Sequence, residues 1–593
     1  MLQNQRSDLS KSIILSSIVR RQLNHISTKA GMKGSFKRLV TVPFCLFVMY
    51  VLLANPLGAF FKEKAYGNSG EVVPDGNAPG ATPQAIARFD VVPYQVFSGN
   101  FEIGVIAFHI NGIQRVTFEY ETQTGLQTID KTIMSLNPRT GVCEYWTALN
   151  ASDFKDGAVI VKATVYPNNG IERELTLELY ADSRKTLIGK KELHVSLNGN
   201  DDTGEGSRAR PFRSIQRAFI AVTDNVSRYD GSAIILMDPG LYDMKGQRLS
   251  AENNLWITIR PDKGLHRDDV IIAPKIRENI RAKIRRLRFS NLTLDFSKIG
   301  LIYKEDSHWQ WYDNCRWYQS EGPTVSYQGQ YWPVRNVGFN GLYVTKSVAE
   351  DMLYAFTFCN LVRDSLCRNI TGDVFQMGRM VVNCRADGVD GSALEHHTDL
   401  FQWWQSNENI IVYGVKATNI AGGQNFFFGG NDVSYANVAV VNVAVHNTQD
   451  RFGPPYTQFQ QAHDHVLIMH VSNPGQLSFF REDGEPPYTA HNVKFVNCIF
   501  EGLSLARWGV KGLPDGVSVE SCHFIRGELH GTMPSTGEIF IVDESGSCFS
   551  YEGAGVVNTI GTGQEIPGFS HPNDGAAEHG APNRGAFAFE VVE

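Results

Sequence analysis

Cysteine is scarce in this chain, at nine of 593 residues, and Cys45 sits in an apolar N-terminal segment. That density is too low for a disulfide scaffold, and no CxxC pair exists to build a structural zinc site. Charge is also thin. Charged residues make up 20% of the chain, below the usual ~25%, which excludes a highly charged helical protein, a coiled coil and a disordered chain. No long basic run occurs in the body, and the formal net charge of −7 argues against broad binding to nucleic acid. A P-loop, a GxSxG elbow and a dinucleotide-type GxGxxG before a helix are all missing. What is present is turn and core material. Gly numbers 55, Phe 35, and hydrophobic residues reach 42%. This composition favours an all-β protein with many turns.

The N-terminus carries one apolar stretch, Leu39 to Phe61, preceded by Lys33, Lys37 and Arg38. Basic residues, an apolar run and small residues near Gly58-Ala59 make a secretory signal. Met32 opens a segment that reads as a signal-peptide start, so residues 1–61 are expected to be an upstream extension plus a signal peptide or signal anchor. Pro43, Asn55 and Pro56 shorten any membrane span, which favours cleavage. Either form places the rest outside the cytoplasm: secreted, on the cell surface or periplasmic. Contact with a membrane is expected only through an uncleaved anchor. Residues 62–86, rich in Gly, Pro, Asn and Ala, read as a linker.

From 87 to 192 the pattern is that of strands. Val116, Phe118 and Tyr120 alternate with Thr117, Glu119 and Glu121, and Leu175, Leu177 and Leu179 alternate with Thr176 and Glu178. Turns such as Asn168-Asn-Gly170 separate the runs, and a small β-sandwich is expected. The stretch from Trp146 through Phe154-Lys-Asp-Gly157 to Val165 resembles immunoglobulin-like or fibronectin-like modules of secreted carbohydrate-active proteins.

After Lys191 the character changes. Val195-Ser-Leu-Asn-Gly-Asn-Asp-Asp202 leads to Pro211-Phe-Arg-Ser-Ile-Gln-Arg-Ala-Phe219. Ile215, Ala218, Phe219 and Val222 have helical spacing. A strand at Ala233–Met237 and the turn Asp238-Pro-Gly-Leu-Tyr242 follow. This stretch is similar to the N-terminal cap of the right-handed parallel β-helix, or pectate-lyase-like, superfamily. The resemblance implies that 193–593 forms a parallel β-helix with a capping helix, and an all-β fold overall. The catalytic signatures of the polygalacturonase-like hydrolases do not appear as a set.

Repeats point the same way. Short apolar runs end in a small or polar residue at Asn291, Asn383, Gly414, Asn442, His470, Asn497 and Ser521, with spacings typical of one solenoid coil. Cys384, Cys498 and Cys522 follow that position, and stacked inward thiols are the expectation. Asp373-Val-Phe-Gln376 recurs 26 residues on as Asp399-Leu-Phe-Gln402. The same step leads to Phe427 and, doubled, to Phe479, so Phe375, Phe401, Phe427 and Phe479 are expected to form one internal ladder. The long gap from Asn291 to Asn383 reads as an insertion. Its segment 303–332 holds nine aromatic residues, where the chain average gives about three.

Three groups of residues could carry chemistry. In the polar segment Asp387 to Trp404, His397 and Asp399 are expected on one strand face. His397 could be the base of a polysaccharide lyase, with Arg481 and Arg507 on adjacent coils clamping a carboxylate. Asp387, Asp390 and Glu395 could hold calcium, the one cofactor considered. Asp373 and Asp399 could instead be the carboxylate pair of a glycoside hydrolase, or satisfy turn amides. Trp309, Trp311, Trp317 and Trp332, continued by Trp403 and Trp404, could stack on sugar rings, or form a lid packed on the solenoid wall. A third group, His463 and His465, two apart in a strand, could bind a metal, though a core or solvated role is favoured. The resulting expectation is a secreted protein acting on polysaccharide as a lyase or hydrolase of an acidic glycan. The alternative is a non-catalytic adhesin or glycan-binding protein.

Overall fold

The computed structural model describes residues 82–541, except 187–190, 305–308, 324–340, 393–397, 405–406, 422–423, 430–433, 450–455, 461, 481–488, 505–514 and 525–539. The described chain is all-β, with two largely antiparallel sheets followed by a large and a small sheet of parallel strands.

The antiparallel sheets enclose one core. Ile86–Phe89, Asn100–Phe108, Cys143–Asn150 and Ser135–Leu136 form the first, and the second orders Val96–Phe97, Arg173–Ala181, Gly157–Pro167, Ile113–Thr122 and Gly125–Lys131. Alternation does the work: Val159, Val161, Ala163 and Val165 are buried, and Leu175, Leu177 and Leu179 meet them from the next strand.

Beyond Glu192 the chain returns repeatedly to pair in parallel with its previous pass, an arrangement compatible with a parallel β-helix. Strands fall into three stacks. The first runs from Glu192–Val195 through Ala233–Leu236, Ile257–Pro261 and Arg286–Ser290 to Val517–Glu520. The second includes Gly240–Asp243, Val270–Ala273, Arg316–Tyr318 and Leu366–Ile370. The third includes Phe356–Thr357, Phe375–Gln376, Asp399–Trp403 and Gln424–Phe428. The open first coil is covered by the helix Ile215–Asp224, whose N-terminus is capped by the Ser214 hydroxyl accepting from the Arg217 amide. Its buried face is Ile215, Ala218, Phe219 and Val222, as the helical spacing predicts.

The recurring polar position marks the turn from first to second stack. Asn291, Asn383, Asn442, His470, Asn497 and Ser521 all have left-handed backbone, with φ between 49° and 56°, as does Gly414 at 66°. This conformation costs a non-glycine residue about 1–2 kcal/mol, least for Asn, so Asn recurs. The next residue points inward. There Cys315, Ser347, Ser365, Cys384 and Cys498 donate to the carbonyl two residues back, at 3.6, 2.9, 2.8, 3.2 and 3.2 Å. The Asp313, Thr345, Arg363 and Val382 carbonyls also accept from the turn amides of Asn291, Asn314, Lys346 and Asp364 one coil back, so the small inward donor adds a second bond to each. The seven described cysteines are all free and buried.

The same turn corrects the reading of an insertion. Asn314, Lys346 and Asp364 also have left-handed backbone, so further coils lie between Asn291 and Asn383. Lys and Asp at the turn hid them. The described part of the aromatic segment 303–332 is regular wall: Trp309–Asp313 pairs with both Arg286–Ser290 and Leu342–Thr345.

The internal ladder exists for Phe375 and Phe401, while Phe427 and Phe479 lie on other rows. Phe375 stacks on Phe401 at 5.1 Å between ring centroids, and Phe401 on Phe426 at 4.9 Å. Phe427 is not on it. Phe426 pairs with Phe401 and Phe427 with Gln402, and a one-residue slip reverses the face. A neighbouring rung runs Trp403, Phe428, Phe459 at 4.6 and 5.1 Å. Phe479 is in register with Phe459.

The first stack is apolar on both faces. Ile410, Val412, Val438, Val440, Val466 and Ile468 face the solenoid interior. Ile411, Tyr413, Ala439, Val441, Leu467 and Met469 point the other way and join the core of the antiparallel sheets. Burial on both sides explains uninterrupted runs such as Val438-Ala-Val-Val441. Polar groups fix the seam. The Asn409 side chain accepts from the Ala87 amide at 3.0 Å and donates to the Ala87 carbonyl at 2.9 Å. Arg363 lies 3.0 Å from both Asp90 and Asp364, all buried.

Candidate functional site

The motif Asp-x-x-Gln places two carboxylates at the entry to the third stack. Phe375–Gln376 and Asp399–Trp403 pair in register, Gln376 opposite Gln402, so Asp373 and Asp399 occupy equivalent positions on adjacent coils. Asp373 Oδ1 accepts from the Asp399 amide at 3.0 Å, and Asp399 Oδ1 from the Gln424 amide at 3.2 Å. The other oxygens take the glutamines: Gln376 Nε2 donates to Asp373 at 2.8 Å and Gln402 Nε2 to Asp399 at 2.6 Å. Gln376 Nε2 also donates to Gln402 Oε1 at 2.6 Å. Each carboxylate thus caps the next coil, the turn-satisfying role weighed from sequence.

Burial changes their acidity. Asp373 is 4% exposed and Asp399 0%. Loss of hydration pushes Asp373 up to about 7, opposed by the Asp399 amide and Gln376. Burial pushes Asp399 further up, and the Asp373 charge adds to it. Two like charges this close cannot both ionise easily, so the pair holds a proton near neutral pH. Such a pair can give or take a proton there.

The other expected site residues divide clearly. His397, Glu395, Arg481, Arg507 and Trp332 lie outside the described residues. Asp387 and Asp390 are in the strand Met380–Asp390, not in a loop, with a left-handed glycine at Gly388 between them. Asp387 Oδ1 accepts from Thr418 Oγ1 at 3.0 Å and Asn419 Nδ2 at 2.6 Å, and Asp390 Oδ1 from the Ser392 amide. Among the described residues no group of three His, Cys, Asp or Glu could hold a metal ion. Glu395, the third residue named for calcium, lies outside the described residues, and no step proposed below requires calcium.

Three tryptophans assigned to sugar stacking are core residues. Trp317 is 1% exposed, wedged among Phe296, Tyr312 and Phe356. Trp403 is 0% exposed and donates to the Gly378 carbonyl. Trp311 is buried under the antiparallel sheets against Trp256, donates to Thr345, and has the Arg288 guanidinium over its ring. A face that stacks on sugar must be open, and these are closed. Trp309 and Trp404 are half-buried, against Tyr343 and Phe358 respectively. Aromatic density reported the width of the core and of the seam.

His463 and His465 do not share a face, because His465 has left-handed backbone. His463 packs inside against Tyr435 and Phe459, and burial drives its pKa down to about 3. His465 turns to the antiparallel sheets. Its Nδ1 donates to Asn437 at 2.8 Å while its Nε2 accepts from the Ile110 amide. Sequence reasoning named Gln376 and Gln402 only as motif letters, although their fixed offset from Asp was the signal. Asn409 and Arg363 had none, since their partners lie 322 and 273 residues away. Among the described residues no helix is long and apolar enough to cross a membrane. A scan of protein-family models, a search of curated proteins and a search of solved structures return no match for this chain.

Proposed function

We propose that this chain is a secreted or cell-surface protein of the right-handed parallel β-helix kind, with an immunoglobulin-like module docked on its wall, acting on an acidic polysaccharide as a lyase or hydrolase. The observation that carries the reading is the placement of two carboxyl groups, Asp373 and Asp399, at equivalent positions on adjacent coils, where burial raises the pKa of both. In the hydrolase form one carboxyl protonates the glycosidic oxygen as the other, ionised, assists attack. In the lyase form His397 removes the proton α to the uronate carboxylate, and Arg481 and Arg507 offset the developing charge.

One observation favours the second reading, a non-catalytic glycan-binding protein. Every described acceptor role of the Asp pair is taken by a neighbouring amide. Incubation with uronate-containing and neutral polysaccharides decides. Unsaturated products absorbing in the ultraviolet mark a lyase, and new reducing ends without them a hydrolase. A hydrolase should lose at least ~100-fold in turnover with Asp399→Asn, a lyase with His397→Ala. Binding without product formation would support the adhesin.

A further inference from the structure

The outward face of the second stack brings two cations into register on adjacent coils. Arg316, Val348, Leu366, Arg385 and Lys416 follow one another on successive coils. Two residues along, Tyr318, Glu350, Arg368, Asp387 and Thr418 form a parallel column. Upstream the charges are balanced. Glu350 takes Arg316 at 2.5 Å and Arg368 at 3.5 Å. Downstream they are not. Arg385 and Lys416 are exposed, sit directly opposite each other, and have no ion pair among the described residues. The nearest carboxylate in the second column, Asp387, accepts instead from Thr418 and Asn419.

Opposed strands stand about 4.8 Å apart, and like charges directly opposite destabilise a sheet. A chain with net charge −7 keeps this pair on a flat, solvent-facing wall. We infer that Arg385 and Lys416 form an anion-binding stripe for a polyuronate chain, separate from the Asp373 and Asp399 pair. An ammonium and a guanidinium one coil apart can each meet a carboxylate of a polymer lying along the solenoid axis. Glycan as the source of those carboxylates rests on the function proposed above, and the cation column does not.

The test measures retention of full-length protein on immobilised polygalacturonate, with a neutral galactan and a single-stranded oligonucleotide as controls. Arg385→Gln combined with Lys416→Gln should weaken polygalacturonate binding at least tenfold and flatten its salt dependence. Lys416→Arg should preserve both. Binding to the galactan should be weak and unaffected. Product release from soluble substrate, measured in parallel, reports on the third stack and is expected to survive the double substitution at saturating substrate. Unchanged polygalacturonate affinity in the double variant would overturn the stripe. Equal, equally sensitive binding of the oligonucleotide would overturn the glycan assignment.

Discussion

At the scale of single residues, left-handed turns and buried titratable groups set the energetics. Asn383 has φ 49°, and its Nδ2 donates to Asp364 Oδ1 at 2.8 Å. Asn383→Val should cost about 1–2 kcal/mol more than Asn383→Gly, because a branched Cβ opposes this backbone and Gly does not; urea unfolding of both variants checks it. His463 gives a pH signature. Its folded pKa of about 3 lies below the ordinary 6.5, so protons favour the unfolded chain. Its contribution is intact above pH 6.5 and falls as pH drops towards 3, by up to about 1.4 kcal/mol per unit. Asp373 has the opposite sign: raised to about 7, its contribution is full below about pH 4 and lost as pH rises through 7. His463→Phe should therefore flatten the acid side of the stability profile, measured as urea midpoints from pH 4 to 7.5, and Asp373→Asn should flatten the rise in the reverse direction. The repeated Asn was visible in sequence because one conformation selects one residue type. The two Asp residues were visible as a repeated motif. Their burial was not, since it depends on coils that sequence spacing places side by side without saying how deep.

At the scale of elements, the first stack is shared by two cores. Asn409 interrupts it with left-handed backbone and presents its amide to Ala87 as a strand neighbour would. Asn409→Ala leaves the buried Ala87 amide and carbonyl without that partner, and should cost about 1–3 kcal/mol, read from chemical denaturation. Asn409→Asp keeps the acceptor and loses the donor, and should fall between. The alternation in Gly157–Pro167 and Arg173–Ala181 made the sandwich strands legible, because one face is wet. Runs such as Ile410-Ile-Val-Tyr413 carry no alternation, and nothing local says that the second apolar face meets another domain. Trp311 was misread for the same reason: it looks available until the sheets that cover it are in place.

At the scale of the whole molecule, that shared core should make unfolding a single event for the described residues. The outward side chains of the first stack and the interior of the antiparallel sheets form one continuous cluster, and a domain that loses its partner exposes a long apolar strip. Calorimetry should show one transition in which the antiparallel sheets and the parallel stacks melt together; a separate low-temperature transition of the antiparallel sheets would refute this. All-β class, a parallel repeat and the capping helix could be read from the sequence because each has its own period. How the parts meet could not, because the pairs that join them are hundreds of residues apart.

The order of the two parts along the chain then matters during synthesis. The sandwich precedes the coils, so it leaves the ribosome first and folds first. Each later coil emerges with an outer row, Ile411 and Tyr413, then Ala439 and Val441, then Leu467 and Met469, that would be sticky in isolation. A finished surface is already waiting for it. The N-terminal sheets are then expected to act as a tethered folding template on which the later strands are laid down. A chain with the two parts exchanged in order would expose the whole strip before its cover exists, and should aggregate while the natural order stays in solution.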